Sequence, residues 1–146
     1  VVDNYVAPAA TSAPATLTAT GEAYLDFESW RVGNSVTGGA NDDPSGSGIT
    51  NCARYAFGLA PSGPVAQPVT VTPVSGSGGQ YLQVAFRRKS AATDIRYVIE
   101  HSADLVTWAT LKTIDPGTPI DVLEQDDVPI GSVPRRFLRV RIEPKR

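Results

Sequence analysis

QYLQVAFRR at residues 80–88 changes character at every step. Leu82, Val84 and Phe86 alternate with Tyr81, Gln83, Ala85 and Arg87, the two-residue period of a strand with one buried face. FLRVRIE at 137–143 repeats the pattern, directing Leu138, Val140 and Ile142 inward and Arg139, Arg141 and Glu143 outward. Between them, IRYVIEHS (95–102) sets Tyr97 and Ile99 on one face and Arg96 and Glu100 on the other. VTVTPV (69–74) leads into residues 80–88 through SGSGG, a hairpin-like connection. VTWATLKT (106–113) and a short IDVLE (120–124) complete six strands. The fold class expected is mainly β, with a two-sheet sandwich over residues 65–146.

Moving toward the start of the chain, residues 21–62 read as helix, loop, helix. In GEAYLDFESWR (21–31), Ala23, Phe27 and Trp30 share one helical face, with Thr20 as the expected N-cap. Residues 33–48 are loop by their Gly, Asn, Ser and Pro content. A second helix, ITNCARYAFGL (49–59), is expected to start near Ser47, to align Ile49, Cys52, Ala56 and Leu59, and to end at Gly58 and Pro61. Residues 1–20 are rich in Ala, Thr, Pro and Val, and Pro8 and Pro14 prevent a continuous helix. This segment is read as an extended arm or linker.

The 146 residues suit one main core, and 41% are hydrophobic. No apolar run reaches the length of a membrane span. A net charge of -2 argues against nucleic-acid binding, which draws on Lys and Arg to neutralise phosphates. Charge is uneven: residues 1–60 carry two cations and six acids, residues 61–146 eleven and nine. Cys52 is the only cysteine and there is no Met, so no internal disulfide forms, and a processed, secreted chain is expected.

Two stretches carry a resemblance. NDDPSGSGITNCARYAFGLAP (41–61) is similar to the Asp-Pro-Asp-Gly-Asp-Gly-Leu-Thr-Asn pattern of dockerin-like or thrombospondin type 3-like calcium loops. RYVIEHSADLVTWATLKT (96–113) and RRFLRVRIEP (135–144) resemble the fibronectin type III-like sandwich that ends many exported bacterial proteins. The resemblance implies a fibronectin type III/Ig-like sandwich behind a degenerate EF-hand-type helix-loop-helix. In such a loop, positions 1, 3, 5 and 12 hold the ion. They map here to Asp43, Ser45, Ser47 and Arg54, with Gly48 keeping the turn. Two carboxylates have become hydroxyls and the bidentate acid a cation. The expected loop keeps its shape through Ser hydrogen bonds and an Arg54–Asp43 contact, without metal or other cofactor.

Catalytic constellations are sparse. His101 is the only histidine, Cys52 lies on an apolar helical face, and the Asp126–Asp127 pair is read as a turn. No phosphate loop, zinc spacing or nucleophile elbow is present. The expected function is therefore non-catalytic: an extracellular structural or adhesive subunit that forms a filament or surface matrix with copies of itself. Six strands leave room for a seventh, supplied by Val1, Val2, Tyr5, Val6 and Leu17 of an arm spanning 1–7 and 16–20. The acceptor edge is 69–74 or 137–143. The alternative is a carbohydrate-binding accessory module of a secreted enzyme, with Tyr81, Trp108 and Trp30 stacking on a surface polysaccharide. Trp108 is also expected beside a bulge, because its parity conflicts with that of Leu111.

Overall fold

A computed structural model describes residues 24–145. The arm residues Val1, Val2, Tyr5, Val6 and Leu17, and the expected cap Thr20, lie outside them. Helix α1 spans Phe27–Gly33 and α2 spans Asn51–Ala56. Six strands follow: β1 Val69–Gly76, β2 Gly79–Arg87, β3 Ile95–Ser102, β4 Ala109–Ile114, β5 Asp121–Pro129 and β6 Phe137–Pro144. They form two antiparallel three-stranded sheets, ordered β1-β2-β5 and β4-β3-β6.

The alternation that identified the strands sets the packing. Val84 and Phe86 on β2 meet Tyr97 and Ile99 on β3, with Val122 from β5, in one buried cluster. Leu138, Val140 and Ile142 of β6 pack against that cluster from its margin. The helices extend the same core. Phe57 stacks edge-on with Phe86, ring centroids 5.8 Å apart, and Phe86 lies 5.3 Å from Tyr97. Trp30 sits 5.8 Å from Tyr55 and 5.9 Å from Phe27. The Tyr97 hydroxyl donates to the Ala56 carbonyl and accepts from Lys89 N–H at 2.8 Å, tying the end of α2 to both sheets. Asp94 makes a second tie: it accepts from Phe27 N–H at 2.7 Å and from the Tyr55 hydroxyl at 2.9 Å.

Several boundaries differ from expectation, each for a local reason. The cap of α1 is Asp26, whose carboxylate accepts from Ser29 N–H, so the helix begins later than Thr20 implied. The cap of α2 is Thr50, not a residue near Ser47, because the Ser47 hydroxyl is engaged within the loop. The segment before β4 is a turn, not a strand: Asp104 accepts from Val106 and Thr107 N–H and Ser102 from Leu105 N–H. β4 therefore starts at Ala109, and the irregular register opposite Ile99/Glu100 skips Leu111. β5 runs on to Pro129, which places Asp126 and Asp127 in a strand and not in a turn.

Candidate strand-accepting groove

The two sheets stack so that β2 covers β3, and each sheet contributes one edge strand to each flank. On one flank the edge strands β4 and β5 are bridged by Lys112 and Glu124 at 2.5 Å, across a depression of about 410 Å³. Arg88 reinforces this flank by donating to the Asp115 and Pro119 carbonyls. The other flank holds β1 and β6, the two edges proposed from sequence as acceptors, and no described strand pairs with the outer side of either.

Between them lies a groove of about 380 Å³. Val69 and Val71 line it from β1, Leu138 and Val140 from β6, Ala53 from α2, and Ile49 and Phe57 from the residues flanking that helix. Val71 is opposite the fully buried Val84, so both side chains point between the sheets. Yet Val71 is 40% exposed. Leu138 and Val140 are likewise only half-buried, although they face the core. An apolar strip that points inward and still meets solvent, flanked by two sheet edges with which no described strand pairs, has the chemistry of a site that takes an extended segment.

The stacking aromatics fare differently. Trp30 is 2% exposed within the Phe27–Tyr55 cluster, so it belongs to the core and offers no ligand face. Trp108 is half-buried on the outer face of the second sheet, and the Arg139 guanidinium lies over its ring at 3.9 Å. Arg139 and Arg141 converge on Glu100, at 2.7 and 3.1 Å. Desolvation opposes ionisation of Glu100, but these two arginines outweigh it and hold the carboxyl below its usual range. The outward arginines thus form a cross-strand ladder with an acid of their own protein. Tyr81, half-buried on the outer face of β2, lies over Gly76 and Gly78, where an added Cβ would meet its ring or hydroxyl at 2.9 and 2.7 Å.

The calcium-like loop is neutralised from within. Arg54 is fully buried and donates to the Ala60 and Gly63 carbonyls at 2.7 and 2.6 Å and to Ser47 Oγ at 2.9 Å. Ser47 in turn donates to Asp43 at 3.2 Å, so the expected Arg54–Asp43 contact is relayed by a hydroxyl and is not a direct pair. Ser45 accepts from Gly63 N–H. Desolvation at Asp43 is overcome by hydrogen bonds from Gly48 and Ser47, which keep its carboxyl low. A guanidinium bonded to the position-5 ligand and supplied by position 12 leaves a donor set that does not fit calcium.

One cluster escaped the sequence reading. Arg136, from the β5–β6 connection, forks onto Asp126, reaches Asp127 at 2.8 Å and donates to His101 Nδ1 at 2.8 Å. It joins the two sheets at the end of the sandwich remote from α2. The pattern DD followed nine residues later by Arg is the only trace of it in sequence. Comparison with protein-family models, curated proteins and solved structures found no match. Among the described residues no helix is long and apolar enough to cross a membrane.

Proposed function

We propose that the chain is a non-catalytic, extracellular structural subunit whose β1/β6 groove receives the extended leading segment of another copy, joining copies into a filament or surface matrix. The observation that carries this reading is Val71: an inward-facing residue, 40% exposed, between two unpaired sheet edges. Strand addition there buries the apolar strip and satisfies both rows of backbone groups in one step. A contact of this kind joins different surfaces of successive subunits, and repeats without limit unless the rotation closes a ring. A fibronectin type III-like sandwich would fit the reading, since the strand order leaves both acceptors on one flank. A carbohydrate-binding role has less support, because Arg139 covers a face of Trp108 and Trp30 is enclosed. Electron micrographs of the full chain at rising concentration test the proposal. Fibres or ordered sheets that shorten when free peptide of residues 1–20 is added are the expected result; isolated particles at every concentration would contradict it.

A further inference from the structure

We propose that the pocket where the β3–β4 turn meets the β5–β6 connection binds a small-molecule amide with an apolar body. The pocket measures about 590 Å³, the size of a small-molecule site, and shares no lining residue with the β1/β6 groove. Ala103 and Ala109 line it from the β3–β4 segment, and Val133 and Pro134 from the connection, so its walls are mainly apolar. His101, Asp104 and Arg136 add a small polar set to the same lining.

That set is rich in donors. A guanidinium donates and never accepts. Arg136 Nη1 lies 2.8 Å from His101 Nδ1, so Nδ1 is the acceptor and the ring proton sits on Nε2. His101 therefore offers an N–H, and no acceptor for it stands among the described contacts. Of the five N–H donors of a guanidinium, Arg136 spends three on Asp126 and Asp127 and one on His101, which leaves one on Nη1. The lining also holds an acceptor. The hydrogen bonds that Asp104 receives from Val106 N–H, Thr107 N–H and the Ser102 hydroxyl all land on Oδ1, leaving lone pairs on Oδ2. An amide matches both halves, because its carbonyl accepts and its N–H donates.

Charge decides against the nearest alternatives. Arg135 and Arg136 stand against Asp104, Asp126 and Asp127, so the site has no excess of cation with which to hold a carboxylate. An ammonium has no lone pair to accept from His101 or Arg136. An uncharged group with an acceptor and a donor side by side is what remains, its apolar body lying between Ala109 and Val133.

Because the chain has a single histidine, every imidazole signal belongs to His101. Nitrogen NMR spectra of the full chain should show the ring proton on Nε2. Titration with benzamide should move that signal, and the Val133 and Arg135 amide signals, saturably. Benzoate, which brings a second carboxylate to Asp104, should bind at least about tenfold more weakly. Val133→Glu, at a wall position already 38% exposed, should abolish the benzamide shifts and leave amide signals elsewhere in the sheets unchanged. A ring proton on Nδ1, no saturable shift up to the solubility limit of benzamide, equal affinity for benzoate, or unaltered binding to a folded Val133→Glu would each overturn the proposal.

Discussion

Asp104 shows how one side chain can decide where a strand begins. Its carboxylate accepts from the N–H groups of Thr107 and Val106 and from the Ser102 hydroxyl, and these bonds lower its pKa to about 2. Leu105 is held at a φ of 64° by the same turn, a left-handed conformation that a bulky residue rarely takes unaided. A depressed carboxyl contributes stability above its unfolded value, near pH 4, and loses it as pH falls through about 2. Asp104→Asn should therefore flatten part of the acid-side fall in the thermal midpoint between about pH 4 and pH 2, relative to the unaltered chain. An unchanged acid limb would mean that the turn does not depend on the charge. At Arg54, three acceptors surround a buried cation where a metal loop would place its bidentate acid.

At the scale of elements, the aromatic run Trp30–Tyr55 and Phe57–Phe86–Tyr97 joins helices to sheets. Phe57→Ala removes the ring that bridges α2 to both sheets and should destabilise by about 3–5 kcal/mol. It should also lower the midpoint of urea unfolding seen by tryptophan fluorescence and by strand circular dichroism together. Loss of the helical signal alone, with the sheets unmoved, would show that α2 is an appendage. The strands were legible because alternation survives in β2, β3 and β6, the strands whose inward faces meet the core. β1 was legible as a strand and as one of two candidate acceptor edges, but VTVTPV carries no sign of what stands opposite it. The hydrogen bonds of Ser45 and Ser47 were legible in the hydroxyls that stand in residues 43–54. Trp30 was misplaced as a ligand face because a helical tryptophan reads alike whether it meets solvent or Tyr55. The Arg136–Asp126–His101 cluster was hidden because a strand-borne carboxylate is silent in sequence until a cation from another segment neutralises it.

At the scale of the molecule, the two flanks of the sandwich are unequal. The β4/β5 flank is bridged by Lys112–Glu124 and by polar contacts of Arg88, whereas the β1/β6 flank carries no such bridge among the described contacts and leaves Val71, Leu138 and Val140 partly in water. Exposed sheet edges are sites of association unless they are covered or charged. Pro73 blunts β1 at one position, and the rest of the apolar strip is free to pair. In the proposed assembly, an edge left open beside an apolar groove is the feature on which association depends. Sedimentation velocity over a concentration series, comparing the full chain with Val71→Lys, tests this most directly, since the substitution sets a charge in the groove at a position already in contact with solvent. The mass of the unaltered chain should climb with concentration, while Val71→Lys stays monomeric with its thermal midpoint unchanged; identical sedimentation of the two would contradict the assignment of the groove.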